Sequence, residues 1–150
     1  EKGLRWEWAL HLLADLPRWR LRADTVVYNA AASACEKCEQ WEWALQLLGE
    51  MHEHVVSPDD VTYGAVIAAC GKGLEPRRSV QLLAQMRASQ LTPGAITYGA
   101  VAGALRTLLL WEDALDMIQS MQERGLRPDP AVYADAIGAC VGAGSLAPIP

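Results

Sequence analysis

The sequence lacks an excess of positive charge, a long hydrophobic run and a recognisable targeting signal. Aspartate and glutamate outnumber lysine and arginine by 18 to 13, which gives a formal net charge of −5. Such a chain has no global attraction for phosphate or for an anionic membrane. The longest apolar run, 98–110, is interrupted by Arg106 and is shorter than the roughly 20 residues that span a bilayer. We therefore expect no membrane insertion, and nucleic-acid binding would require a local strip of positive charge.

Residue arrangements typical of a catalytic, metal or disulfide site are also missing. The four cysteines do not form a disulfide framework, which is compatible with a reducing compartment. Cys35 and Cys38 have the spacing of a metal or redox pair, yet Cys35 lies 35 residues from Cys70 in a repeated apolar register. The three histidines lack the neighbours that a metal site needs, and no nucleophile is paired with a base. We predict no catalytic activity, metal or cofactor.

A period of 35 residues runs through the chain. The four tyrosines are separated by 63−28, 98−63 and 133−98, which is 35 each time: Tyr28, Tyr63, Tyr98 and Tyr133. Methionines and prolines keep the same period: Met51, Met86 and Met121, and Pro58, Pro93 and Pro128. A fixed period of this length is typical of stacked helical repeats. The register divides the chain into full units at 25–59, 60–94 and 95–129, with partial units at 1–24 and 130–150.

Each full unit contains two amphipathic segments. Within 25–59, apolar residues recur at helical spacing from Val27 to Cys35 and again from Trp41 to Met51, which predicts two helices. The register predicts first helices near 26–37, 61–72, 96–107 and 131–142, and second helices near 6–16, 41–54, 76–89 and 111–124. One helical hairpin cannot bury both apolar faces, so neighbouring units must stack. The predicted fold is all-α, an α-solenoid of stacked helix-turn-helix units.

Short strings around the tyrosines resemble the pentatricopeptide repeat (PPR) pattern. They are Asp60-Val61-Thr62-Tyr63-Gly64, Ala95-Ile96-Thr97-Tyr98-Gly99, Gly125-Leu126-Arg127-Pro128-Asp129 and Val26-Val27-Tyr28-Asn29. Tetratricopeptide repeats are the nearest alternative, but their period is 34 and their tryptophan lies in the first helix. The tryptophans of this chain open the second helices instead. The resemblance covers nearly the whole chain and implies a right-handed superhelix.

The resemblance implies single-stranded RNA binding in an organelle, a mitochondrion or a chloroplast, with one base per unit read on the concave face. The residue after each tyrosine would read the base with the residue that closes the unit. These pairs are Asn29 with Asp59, Gly64 with Gly94, and Gly99 with Asp129. In the family the first pairing favours uracil or another pyrimidine, whereas the glycines leave the principal reading position without a side chain. The residues two before each tyrosine would sandwich the bases: Val26, Val61 and Ile96.

The lysines form a second pattern. The chain has three, spaced 35 residues apart at the predicted ends of first helices: Lys2, Lys37 and Lys72. In the family this position can contact the RNA backbone, and one cation per unit would match one phosphate per base. A lysine at the end of a helix also complements the negative end of the helix dipole. The sequence is compatible with both explanations.

A structural role is the alternative function. The acidic net charge, the glycines at reading positions and the six tryptophans favour a scaffold subunit of a large organellar assembly, such as a ribosome, a respiratory complex or a photosystem. Such a subunit would use the repeat surface for contacts with other proteins. An array this short would bind RNA weakly, because stacking contributes about 1–3 kcal/mol per base. RNA is the preferred prediction for the partner, and protein subunits are the alternative.

Overall fold

The computed structural model describes residues 4–144, which form eight α-helices and a 3-10 helix at Leu16–Trp19. The first helices of the units are α2 (Thr25–Lys37), α4 (Asp60–Lys72), α6 (Ala95–Thr107) and α8 (Pro130–Gly142). The second helices are α1 (Leu4–Asp15), α3 (Trp41–Glu53), α5 (Pro76–Ala88) and α7 (Trp111–Glu123). This range contains no strand, and each α-helix begins and ends within two residues of its predicted bounds. The prediction of an all-α helical-repeat solenoid is confirmed.

The helices form two layers. Neighbouring first helices pack side by side, α2 with α4, α4 with α6 and α6 with α8. Helices α3, α5 and α7 each pack between the first helices of their own unit and of the next, whereas the backbones of neighbouring second helices are not in contact within 4–144. Because the first helices lie closer to one another than the second helices do, the stack curves, and the layer of first helices forms the concave side of the solenoid. None of the α-helices in this range is long and apolar enough to span a membrane.

An aspartate precedes three of the four first helices. The carboxylates of Asp24, Asp59 and Asp129 accept hydrogen bonds from the backbone N–H three residues later at 3.0, 2.9 and 2.9 Å. Such a cap satisfies a backbone donor that the helix itself leaves unpaired. Gly94 stands at the same position before α6 and supplies no side-chain cap. The residue that closes each unit is therefore also the residue that precedes the next first helix.

Both turns of the unit contain a residue in the left-handed backbone region. These residues repeat with the 35-residue period: Arg20, Val55, Gln90 and Gly125 in one series, and Glu39, Leu74, Leu109 and Gly144 in the other. The N–H of the following residue bonds back to the last turn of the helix, as from Val56 to the Met51 carbonyl at 2.8 Å. This closure is typical of the Schellman motif, which usually uses glycine. Composition did not reveal these positions, because only two of the eight are glycine.

The apolar core is continuous through the stack. Tyr28, Tyr63 and Tyr98 are all buried. At the turn between α4 and α5, Trp41 of the preceding unit packs against Gly73, where a Cβ would lie 2.1 Å from the ring carbon Cδ1. The φ of Gly73 is −77°, so glycine is needed there for the close approach of the ring and not for the backbone conformation.

Candidate nucleic-acid interface

The predicted reading pair of the first full unit forms a hydrogen-bonded cluster with a third residue. Asn29 Nδ2 donates to both carboxylate oxygens of Asp59, at 3.0 and 3.2 Å. The Thr62 hydroxyl lies within hydrogen-bond distance of Asn29 Oδ1 and of Asp59 Oδ1, the latter at 2.9 Å. The same hydroxyl accepts a hydrogen bond from the Asp59 N–H at 3.1 Å. We term Asn29, Asp59 and Thr62 the polar triad; it lies where α2 meets the start of α4.

The polar triad fixes the orientation of the Asn29 amide. The amide nitrogen faces the Asp59 carboxylate, and the amide oxygen faces the Thr62 hydroxyl. An asparagine side chain carries two N–H donors and two acceptor lone pairs. One donor and one acceptor site of Asn29 therefore remain for a ligand, and their direction is set by the two neighbours.

Asp59 is ionised at neutral pH. Burial raises the pKa of its carboxyl group. Hydrogen bonds from the Thr62 backbone, the Asn29 amide and the Thr62 hydroxyl lower the pKa by a larger amount, so it lies below the ordinary value of 3.8. The carboxylate can accept hydrogen bonds but has no proton to donate. The cluster is therefore suited to orienting an amide and not to acid–base chemistry.

The two other predicted reading pairs offer space without a polar contact between them. A Cβ at Gly94 or Gly99 would have no neighbour within 4 Å, and one at Gly64 would meet Thr97 Oγ1 at 3.4 Å. Asp129 is exposed, and its carboxylate accepts from a backbone N–H of α8 at 2.9 Å. In the described part of the chain, no side-chain hydrogen bond joins either pair. Gly94 and Gly99 therefore leave open space at these positions, and neither pair holds an oriented amide.

The predicted base-sandwiching residues are exposed apolar side chains. Val26, Val61 and Ile96 lie in the first turns of α2, α4 and α6 and are 72, 56 and 87 % exposed. Packing within the fold does not account for apolar residues that stay exposed at one repeated position. They form an accessible apolar row along the first helices, at a spacing of one side chain per unit.

The predicted lysine row includes one residue that is already paired. Lys37, the last residue of α2, is exposed. Lys72, at the equivalent place on α4, forms an ion pair with Glu36 of α2, and its side chain is about half exposed. Lys2 lies outside the described residues. Lys72 must therefore exchange a carboxylate for a phosphate if it is to contact RNA.

Sequence reasoning missed several polar partners of this surface. Thr62 joins the reading pair, Glu36 pairs with Lys72, and Arg106 of α6 pairs with Asp135 of α8 at 3.2 Å. These contacts join residues separated by 33, 36 and 29 positions. The first two separations are close to one period, because neighbouring first helices lie side by side. A search for complementary polar residues at offsets near 35 would have found those two contacts.

Family models match most of the described chain. A model described as PPR repeat family matches residues 23–72, and one described as PPR repeat matches residues 61–91 and 96–126. The chain belongs to the pentatricopeptide repeat family. The resemblance carried by the tyrosine strings is thereby confirmed. No curated protein sequence matches this PPR chain significantly.

Solved structures of PPR proteins share its fold. The maize protein PPR10 is 24% identical, with a TM-score of 0.80 over 92% of this chain and 20% of that chain. Its complex with an 18-nt psaJ RNA element gives a TM-score of 0.74. The PPR domain of Arabidopsis thaliana protein-only RNase P 1, solved with tRNA, is 16% identical, with a TM-score of 0.81 over 93% of this chain and 74% of that one. Nuclear proteinaceous RNase P 2 of A. thaliana is 12% identical, with a TM-score of 0.83 over 94% and 32%.

This PPR chain spans about a fifth of the length of the maize protein that it matches. At these identities the likeness concerns the fold, and it does not carry over the activities or partners of the longer proteins.

The cysteines of the PPR chain belong to its packing. Cys35 and Cys70 are buried at the same register. Burial raises the pKa of each thiol to about 11, and Cys38 adds to the rise at Cys35. Such thiols stay protonated at neutral pH, and it is the thiolate that binds metals and acts as a nucleophile. Within 4–144, no group of three or more histidine, cysteine, aspartate and glutamate side chains could hold a metal ion.

Proposed function

We propose that the chain is a non-catalytic RNA-binding module that holds single-stranded RNA along its concave layer of first helices. The polar triad carries the proposal, because it holds an amide donor and acceptor at the position where the family resemblance implies base reading. The structures of maize PPR10 with an RNA element and of RNase P 1 with tRNA support RNA as the class of ligand. The exposed apolar row of Val26, Val61 and Ile96 supplies surfaces on which bases can stack.

The family resemblance implies that Asn29 with Asp59 gives the first full unit a preference for a pyrimidine. Uracil presents an N–H donor beside carbonyl acceptors on its pairing edge, and the free acceptor and donor of the Asn29 amide complement that pattern. Asp59 orients the amide and does not itself donate to the base. The two following units, with glycine at the reading position, accept any base. Discrimination is therefore concentrated at one nucleotide.

Binding by this array is weak. Stacking on an aromatic side chain contributes about 1–3 kcal/mol per base, and the three exposed residues of the apolar row are aliphatic, so each contributes less. The net charge of −5 opposes the approach of a polyanion. We expect measurable affinity at low salt and a steep loss as the salt concentration rises.

Filter-binding titrations with short U-rich and A-rich single-stranded RNAs test the proposal. Wild type should prefer the U-rich RNA, and Asn29→Ala should lose about fivefold of that preference, as expected for one hydrogen bond of roughly 1 kcal/mol. Gln85→Ala, at an exposed position on α5 in the outer layer, is the control and should behave as wild type. The proposal fails if wild type binds neither RNA at low salt, or if Asn29→Ala keeps the full preference.

A protein scaffold is the second candidate function. Trp8 and Trp19 are 65 and 77 % exposed, and tryptophan is enriched among residues that anchor protein partners. A scaffold would co-purify with a stable set of proteins after nuclease treatment and would show no RNA affinity in the titrations. Retained RNA binding together with loss of the proteins after nuclease treatment would favour the RNA module.

The proposal places this activity in a mitochondrion or chloroplast, on the basis of the family resemblance. RNase P 2 of A. thaliana, which has a similar fold, is nuclear, so the fold does not specify a compartment. Imaging of a fluorescent fusion of the full-length gene product against organelle markers tests this part. A nuclear signal would contradict it without affecting the proposed RNA binding.

A further inference from the structure

A cavity lies in the outer layer between α1 and α3. It has a volume of about 860 Å³ and is partly open to solvent. Its walls are mainly apolar and include Leu10, Leu13, Trp43, Leu47 and Val56. Cavities of roughly 300–1,000 Å³ with apolar walls and a few polar groups are typical of small-molecule sites.

The cavity coincides with a departure from the repeat at Pro17. Two and three periods later, the same position holds Arg87 and Gln122. Arg87 donates to the hydroxyl of Tyr98, and Gln122 donates to the hydroxyl of Tyr133, each at 3.1 Å. In both cases a long side chain from a second helix contacts the hydroxyl of the tyrosine of the following unit, whereas His52, one period after Pro17, lies with Nδ1 2.7 Å from the Leu48 carbonyl oxygen instead. Proline at position 17 has no such side chain.

Pro17 also shortens the helix that would close the cavity. Helix α1 ends at Asp15, whereas α3 ends at Glu53, which is one period after residue 18. The residues Leu16–Trp19 form a 3-10 helix instead, because proline removes a backbone donor and favours a break. Tyr28, the counterpart of Tyr98, lines the cavity, although it is itself only 3% exposed.

Four polar side chains of the wall are already hydrogen-bonded in pairs. The hydroxyl of Tyr28 and Nδ1 of His54 are 3.0 Å apart, and Gln46 donates to the Glu50 carboxylate at 3.2 Å. Burial and then the charge of Glu50 raise the pKa of the Tyr28 phenol, which stays neutral. The Glu50 side of the cavity therefore disfavours a negative ligand group.

Two arginines line the same cavity without a partner. Arg20 and Arg22 are exposed, and neither forms an ion pair or side-chain hydrogen bond with any residue in 4–144. A guanidinium group binds carboxylates and sulfonates through paired N–H donors. Apolar walls next to two uncompensated positive charges suit a ligand with an apolar body and an acidic head.

We propose that this cavity binds a small amphipathic anion, with its apolar body against Trp43 and the leucines and its head beside Arg20 and Arg22. Burial of the apolar body supplies most of the affinity. The arginines select a negatively charged head and keep it away from Glu50. The site uses the outer layer, so it does not depend on the proposed RNA binding.

Titration calorimetry of the whole 150-residue chain tests the site with decanoate and anilinonaphthalene sulfonate as carboxylate and sulfonate probes. Each anion should bind at one saturable site per chain. Decanol, which has the same apolar body as decanoate without the charge, should bind at least about fivefold more weakly. Absence of saturable binding by both anions overturns the proposal, and so does equal affinity for decanol and decanoate.

Variants locate the binding. Pro17→Gln introduces the uncharged side chain that Gln122 supplies at the equivalent position, and it should weaken both anions at least about tenfold; if circular dichroism shows that it does not fold, Leu13→Trp fills the cavity from α1 instead. Arg20→Ser with Arg22→Ser should weaken decanoate but not decanol. Arg77→Ser, at an exposed position on α5, should leave both unchanged. Undiminished binding of the anions by a folded, filled variant contradicts the assignment.

Discussion

The Thr62 hydroxyl group contacts both other members of the polar triad. Thr62 is 1% exposed, closes a capping box with Asp59 and contacts the Asn29 amide oxygen. Thr97 occupies the same register one unit later and is also buried. It faces Gly64 and makes no side-chain hydrogen bond within the described range. The same residue type is therefore a polar connector in one unit and a packing residue in the next.

Thr62→Val should lower the free energy of unfolding by about 1–2 kcal/mol. Valine keeps the shape and the backbone N–H that Asp59 caps but removes the hydroxyl, so the reciprocal half of the capping box is lost and the Asp59 N–H is left without its acceptor. Thr97→Val is the matched control and should change the free energy of unfolding by less than about 0.5 kcal/mol. Urea denaturation followed by circular dichroism measures both. Equal costs in the two variants would show that the hydrogen bonds of Thr62 contribute nothing specific.

The family resemblance paired Asn29 with Asp59 as reading residues, and the register of the unit gave both positions. Thr62 was missed, because its contact with Asn29 spans 33 residues and joins two different helices. The prediction that Lys72 contacts an RNA phosphate likewise did not include Glu36, which lies on a different helix, 36 residues away. Contacts between units depend on how neighbouring first helices are aligned, and one chain read position by position does not give that alignment.

The helices were predictable as elements, but the way their turns close was not. The 35-residue period located every α-helix within two residues. It did not reveal that Val55 and Leu74 have φ values of 58° and 59°, because neither residue favours that conformation. Backbone hydrogen bonds at the ends of the helices impose it. The 3-10 helix after α1 was missed because Pro17 occurs in one unit and has no counterpart in the others, so the 35-residue period carries no signal for it.

Val55→Gly should raise the free energy of unfolding by about 1 kcal/mol, because glycine adopts the left-handed conformation without the steric cost that a β-branched residue carries. The side chain of Val55 is 91% exposed, so little packing is lost. Gly125→Val is the reverse substitution at the same register, where φ is 72°, and should destabilise by a similar amount. Urea denaturation of the two variants measures both effects. If both variants changed the free energy of unfolding in the same direction, backbone conformation at these positions would not determine stability.

Within residues 4–144, contacts connect each unit only to its neighbours, so stability and surface charge are both set at the junctions. Two junctions between first helices carry ion pairs, Lys72 with Glu36 and Arg106 with Asp135. The junction between them is a close backbone approach, where a Cβ at Gly71 would lie 3.3 Å from a carbonyl oxygen of α6. The concave layer thus carries carboxylates beside its cations, and its potential is less positive than a lysine row alone would suggest.

The ion pair of Lys72 with Glu36 should limit RNA affinity. Glu36→Gln removes a negative charge from the concave layer and frees Lys72, so filter binding at low salt should show affinity for U-rich RNA raised about fivefold, equivalent to roughly 1 kcal/mol for an exposed pair. The slope of log affinity against log salt should steepen by about 0.7, as for one added phosphate contact on a single strand.

Glu42→Gln makes the same change of charge on the outer helix α3, where Glu42 is exposed, and is the control. Its salt slope should equal that of wild type. If both variants raise the affinity equally with unchanged slopes, net charge and not the ion pair sets the affinity. If neither variant changes it, RNA does not pass near Lys72, and the phosphate contacts of the array lie elsewhere on the first helices.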